Sequence, residues 1–321
     1  MASAVLAGGY SMARGKKKIP VIFHTDIGDD IDDLWALLLL LRRPEFDLKL
    51  VVVDTKNMVY RARLAAKLLQ LAGRGMVPIA MGPNATDLPG NQSEWLGDYQ
   101  LSQYPVPAGN DGAWAIGEFI ASSADPVTVI SVGPATLIAE SLTRRPEITR
   151  NARFVGMFGS IRVGYGGKST PDIEYNVKVD PAALRTVFAA DWSCTITPLD
   201  TCGSLELSGP PYQKLRRSTD PLAQIAVTSS ISWRPHATWL PEGRHDFLKA
   251  TSPLFDAVAV VMAVDESDLV METLPLTVRE DGMMLVDPSG RPVRCATAWR
   301  DLPRFKARMV DDLMKFPLER S

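Results

Sequence analysis

Short apolar blocks alternate with longer stretches that carry apolar residues at i, i+3 and i+4. "IPVIF" (19–23) reads as a strand, and the helix after it is predicted from Asp33 to Arg43. "DLKLVVV" (47–53) leads to a helix from about Asn57 to Gly73. "VPIAMG" (77–82) is followed by a Gly/Pro/Asn loop and a helix near Ala113 to Ser123. "PVTVISV" (126–132) runs into "GPATLIAESLTRR", and "ARFVGMFG" (152–159) follows. "DPAALRTVFAA" (180–190) opens on an Asp–Pro pair, a helix cap followed by a first-turn proline. "CTITPLD" (194–200) is a further strand. Beyond residue 205 the pattern turns more helical, then ends in β-rich "LPLTVRE" and "GMMLVD" and a helix over "RFKARMVDDLMKF".

Continuous apolar strands separated by helices predict an α/β fold: a mainly parallel, Rossmann-like open sheet with helices on both faces. In such sheets ligands bind beyond the carboxyl ends of the strands. No linker, repeat or low-complexity tract breaks the pattern, so 19–321 reads as one catalytic domain behind a flexible leader, 1–18. At 321 residues, 46% apolar and 22% charged, the chain has the composition of a soluble globular protein. A net charge of -2 argues against a nucleic acid or an anionic membrane as partner. The apolar run Leu34–Leu41 is too short to span a bilayer. The basic "RGKKK" follows the apolar N-terminus instead of preceding it, the wrong order for a secretory signal. Cys194, Cys202 and Cys295 lack CxxC spacing and suit reduced thiols in a cytoplasmic protein.

The candidate chemistry lies in "FHTDIGDDIDDL" (23–34), where Asp26, Asp29, Asp30, Asp32 and Asp33 crowd between a strand and a helix. Like charges about 4 Å apart repel by roughly 1 kcal/mol in water and by several-fold more near a protein interior. Capping a helix N-terminus uses one or two carboxylates, and five exceed that need. A bound cation accounts for the excess.

This segment resembles the N-terminal motif of nucleoside hydrolases, the calcium-dependent N-ribohydrolases. The resemblance continues in order through "VVVDTKN", "VISVGPATLIAESL", "PDIEYNVKVDPAA" and "SPLFDAVAV". It implies hydrolysis of the N-glycosidic bond of a ribonucleoside or related riboside, by water activated on Ca²⁺. The implied ion ligands are Asp26, Asp33, Asp256 and the Val132 carbonyl, an all-oxygen set suited to Ca²⁺. Asp26 is the implied general base. Asn57, Glu174 and Asn176 are the implied ribose contacts, with Tyr175 beside the sugar. The resemblance also implies a homodimer or homotetramer.

Three departures matter. The family has one residue between the glycine and the Asp-Asp pair, whereas Asp29, Asp30 and Ile31 intervene here. Either Asp30 or Asp32 therefore contacts ribose, and we favour Asp30 because the spacing is expected to turn Asp32 to solvent. His24 stands in place of the family's first Asp, and Lys168 where a ribose-contacting Asn is often found. Phe255 stands where many purine-cleaving members carry a histidine that protonates the base. His236 or His245, in a segment with Trp233 and Trp239, can replace that acid, or the substrate carries a good leaving group. Those two tryptophans serve either as core or as a base-stacking surface. His24 argues against an aspartyl-nucleophile phosphatase, and Asp26–Asp33 lacks the central Gly and final Glu of an EF-hand. The competing non-enzyme reading is a calcium-dependent riboside-binding protein that has lost turnover.

Overall fold

Val- and Ile-rich blocks become strands, and the periodic stretches between them become helices on both faces. A computed structural model describes residues 17–240 and 246–315. Residues 1–16 of the leader and His245 thus lie outside the described residues. Among the described residues, nine strands form one sheet. They are β1 (Ile19–Thr25), β2 (Phe46–Val53), β3 (Ile79–Met81), β4 (Val127–Ser131) and β5 (Ala152–Met157), then β6 (Cys194–Thr197), β7 (Leu269–Val278), β8 (Met284–Val286) and β9 (Arg291–Trp299). Their order is β3-β2-β1-β4-β5-β6-β9-β7-β8. The run from β3 to β9 is parallel, while β7 and β8 extend it antiparallel.

The strand order reverses direction at β1, with β2 on one side and β4 on the other, which creates a switch point. Phe23 pairs with Ile130, His24 with Ser131 and Thr25 with Val53, so the carboxyl ends of all three strands finish level. Alternation along β1 sends Val21 and Phe23 into one apolar layer and Ile22 into the other.

The helix Asp32–Arg42 has every residue buried, and so does the helix Phe255–Met262 packed against it. A helix apolar on all sides is a core element. Its C-terminal Arg42 is held by the Asp220 carboxylate and the Lys315 carbonyl.

The sequence pattern assigns no element to "RPVRCATAW", where Pro292, two arginines and small residues hide the alternation. Its pairing with β6 and β7 makes it β9, where tertiary context overrides propensity. The strand expected over 194–200 stops at Thr197, after which Leu199–Cys202 forms one helical turn. No helix among the described residues is long and apolar enough to cross a membrane.

Leu38, fully buried in the helix Asp32–Arg42, tests that central packing. Leu38→Ala should cost about 2–5 kcal/mol in a denaturant titration with an unchanged m-value. A loss below about 1 kcal/mol would mean the site's central helix tolerates a cavity that a close-packed core does not.

Candidate active site

Two buried helix N-termini converge at the switch point and bring acidic side chains with them. Asp32 and Asp33 occupy the first turn of the helix Asp32–Arg42, and Asp256 the first turn of the helix Phe255–Met262. Ile31 at the N-cap supplies no side-chain cap. Partial positive charge at helix N-termini favours carboxylates here. Carboxylate oxygens of Asp32, Asp33 and Asp256 all lie within 4.8 Å of one another, and all three residues are buried. The expectation that Asp32 turns to solvent is therefore wrong. The two extra residues are absorbed in the loop, so the helix keeps both of its acids facing inward.

Asp26 follows β1 directly and is buried beside this group. Gly133 makes room for it: a Cβ there would lie 2.7 Å from the Asp26 nitrogen and 2.9 Å from Oδ1. Gly28 turns the chain at φ +120°, and a Cβ would meet the Tyr60 ring at 2.5 Å. The Thr25 hydroxyl donates to Asp33.

Burial pushes Asp26 up to about 6, with the Arg61 guanidinium opposing. Burial, then Asp30, pushes Asp32 up to about 8. Asp33 and Asp256 are driven well above the usual carboxylate range by burial and by their acidic neighbours. Asp32 and Asp256 face each other closely enough for each to shift the other. A group of buried carboxylates that must protonate in order to coexist matches a hard divalent cation by its oxygen-only donor chemistry.

Glu174 is buried at the N-cap of the short helix Tyr175–Val179. Its carboxylate accepts from Asn176 N (2.7 Å), Gly159 N (2.9 Å) and Val177 N (3.3 Å). Burial still raises it to about 7. Asn176 Nδ2 donates to the Val132 carbonyl at 3.0 Å and the Met157 carbonyl at 3.1 Å. This amide orients the Val132 oxygen, which keeps a second lone pair.

Other predicted residues form hydrogen bonds or ion pairs outside the triad of Asp32, Asp33 and Asp256. Asn57 caps the helix Met58–Leu71, accepting from Tyr60 N and donating to the Leu88 carbonyl, both at 2.9 Å. Its amide is engaged at the mouth by backbone. Asp30 is partly exposed and accepts from Trp239 Nε1 at 2.8 Å. Lys168 pairs with Asp172 at 3.0 Å. Trp233 is buried core, Trp239 is half-exposed, and His236 is exposed in a turn.

Two residues escaped the sequence reading. Arg61 is buried and donates to the carbonyls of Thr55 (2.9 Å) and Ile27 (3.0 Å) and to Asp29 (2.9 Å), with Asp26 at 4.0 Å. An arginine among the apolar positions of "MVYRARLAAKLL" was the available signal. Asp54 bonds His24 Nε2 at 3.0 Å, while His24 Nδ1 meets the Ser131 hydroxyl at 3.0 Å.

Comparison with known proteins agrees with this geometry. The family described as Inosine-uridine preferring nucleoside hydrolase matches residues 21–312. Pyrimidine-specific ribonucleoside hydrolase RihA of Citrobacter koseri is 28% identical over 220 residues, 65% of this chain and 69% of that protein. RihA of Photobacterium profundum is 27% identical over 222 residues, with the same coverage of 65% and 69%. A plant nucleoside hydrolase, PpNRh1, superposes with a TM-score of 0.73 at 19% identity, covering 94% of this chain and 100% of that one. An inosine-uridine preferring nucleoside hydrolase from Bacillus anthracis gives 0.70 at 17% identity, covering 92% and 99%. At these identities the two structures establish a shared fold.

The raised carboxyls give the metal-free protein a definite pH dependence. Asp26, Asp32 and Glu174 keep their protons up to about 6, 8 and 7 when folded. Unfolded carboxyls release theirs near pH 4. Between about pH 4 and 8 the native state binds more protons, so its stability falls as pH rises. In chelator, Tm should drop across that window, and an added divalent cation should remove most of the drop. A Tm that climbs from pH 4 to 8 in chelator would contradict the buried cluster.

Proposed function

The chain belongs to the inosine-uridine preferring nucleoside hydrolase family and is a hydrolase of the N-glycosidic bond of ribonucleosides, and from that premise we propose how its residues divide the reaction. Asp26, Asp33, Asp256 and the Val132 carbonyl would hold a Ca²⁺ ion. When bound, the ion offsets the carboxylate repulsion and makes a neighbouring water more acidic. Asp26 accepts the proton of the attacking water. In the metal-free protein burial raises its carboxyl to about 6, and its place among the residues that would hold the ion sets it beside the water whose proton it takes. Asp32 takes the ribose role in preference to Asp30, because its carboxylate lies with those of Asp33 and Asp256. Glu174 and Asn176 orient the sugar, and Asn176 also aims the Val132 carbonyl through its 3.0 Å bond. Asn57 acts at the mouth by holding Leu88. The single observation that carries this reading is the buried triad of Asp32, Asp33 and Asp256 at the switch point. Three buried, unpaired cysteines support a cytoplasmic location, and the family resemblance a homodimer or homotetramer.

Ribose release from a panel of purine, pyrimidine and pyridine ribosides, with Ca²⁺ present, tests the reaction. 2′-Deoxyribosides should be poor substrates, since buried polar partners go unpaired. Asp256→Ala should abolish calcium binding in calorimetry. Asp26→Asn should lower kcat about 10²- to 10⁴-fold, the range of general acid–base catalysis, while calcium occupancy falls far less. No sugar from any riboside would leave the binding-only reading in place.

Phe255 offers no proton to the leaving base, and we favour a substrate whose base departs readily. 4-Nitrophenyl riboside should then react at least about 10²-fold faster than inosine, the lower end of what a general acid contributes. His236→Ala should leave both rates unchanged. Equal rates on the two substrates, with a selective loss on inosine in His236→Ala, would place the acid at His236.

A further inference from the structure

Asp29 and Asp30, two residues by which this chain lengthens the family's glycine-to-Asp-Asp spacing, tie three segments of the site mouth together. The Asp29 carbonyl accepts from Trp233 Nε1 at 2.8 Å and from Asn91 Nδ2 at 3.0 Å. Lys56 and Arg61 reach the Asp29 carboxylate at 2.7 and 2.9 Å. The Asp30 carbonyl accepts from Gln92 Nε2 at 2.7 Å. The Asp30 carboxylate accepts the indole N–H of Trp239 at 2.8 Å. The loop that leads into the Asp32–Asp33 pair therefore also fixes the segment carrying both tryptophans.

Trp239 is 45% exposed although its N–H is bonded to the Asp30 carboxylate. Its ring centroid lies 6.4 Å from that of Trp233 and 6.3 Å from that of Phe255. Phe255 adjoins Asp256 in sequence and meets the Tyr165 ring edge-on at 6.0 Å. The indole is thus set beside the acidic cluster with part of its surface open. A further ring cannot enter between Trp239 and Phe255, since two stacking gaps of about 3.5 Å need about 7 Å. An aromatic leaving group would have to use the outer indole face.

We propose that Asp30 and Trp239 form a clasp that makes Trp239 a specificity-determining residue, stacking the aromatic leaving group at an angle set by Asp30. The proposal rests on the hydrolase reading, and binding measurements separate the two. The probes are pseudouridine, a C-nucleoside whose carbon–carbon link is not hydrolysed, and free ribose, each titrated calorimetrically with Ca²⁺ present. Trp239→Ala should weaken pseudouridine about tenfold and ribose less than twofold. Asp30→Ala removes the acceptor and should weaken pseudouridine about threefold, while Trp239→Phe removes the N–H together with part of the stacking face and should weaken it at least as much. The double variant should bind no worse than Trp239→Phe alone, because the bond that Asp30→Ala breaks is already gone. Asp30→Asn keeps an acceptor oxygen and should bind like the parent. A parent-like Tm in each variant shows that it is folded. Equal weakening of both probes by Trp239→Ala, no weakening of either, additive losses in the double variant, or no binding of pseudouridine by the parent would each overturn the clasp. A parent that binds pseudouridine with the predicted variant pattern but releases sugar from no riboside would overturn the hydrolase reading and leave the clasp standing.

Discussion

Mutual repulsion among buried carboxylates at the ends of β1 and β4 dictates how this part of the chain is built. Asp26, Asp32, Asp33 and Asp256 cannot all be ionised in a low-dielectric interior unless positive charge faces them. Two helix N-termini and the buried Arg61 supply some of it, and the rest is the role left to a cation. Several local features follow from the same crowding. Gly133 is needed because any side chain there would collide with Asp26. Asn176 steadies the Val132 carbonyl, so that one more oxygen faces the cluster in a defined direction.

Support beneath the cluster is rearranged relative to the family pattern. His24 replaces the first acid of the motif, and an acid reappears at Asp54, at the end of the neighbouring strand. The imidazole links Asp54 to Ser131 and so ties β1, β2 and β4 together under the site. Asp54 also accepts from Leu137 N at 2.8 Å, in the first turn of the helix Thr136–Arg144. Thr55 and Lys56, next in the chain, have φ of 65° and 50°, a left-handed conformation that costs non-glycine residues of order 1–3 kcal/mol. Arg61 holds the Thr55 carbonyl, and Lys56 is drawn to Asp29, so the strain is retained by bonds that also shape the mouth.

The mouth differs most from the family spacing, and the differences are connected. Lengthening the loop by Asp29 and Asp30 leaves the helix acids in place. It also gives the backbone two extra carbonyls, to which Trp233, Asn91 and Gln92 attach. The same loop carries the Asp30 carboxylate to Trp239. One change of length thus alters the aromatic side of the site without disturbing the acidic side.

The parallel sheet, the position of its strands' carboxyl ends and the acidic composition of the site were legible in the linear order of residues. Apolar period and charge density are local properties, and the burial of a strand or helix follows from them directly. Asp26, Asp33 and Asp256 were named through the resemblance to the family's ordered motifs, and each stands at the edge of an apolar element. The direction of Asp32 was not legible, because it depends on how the extra residues are accommodated in three dimensions. Nor was the strand state of Arg291–Trp299, which β6 and β7 impose through hydrogen bonding. Arg61 lies 35 residues from Asp26, Asp54 30 residues from His24, and Trp239 209 residues from Asp30. Their roles arise only when the chain closes the distance. Sequence determined which elements form and which carry charge; tertiary structure decided which charges face one another, because electrostatic and hydrogen-bond energies depend on separation in space and carry no trace in the spacing of residues along the chain.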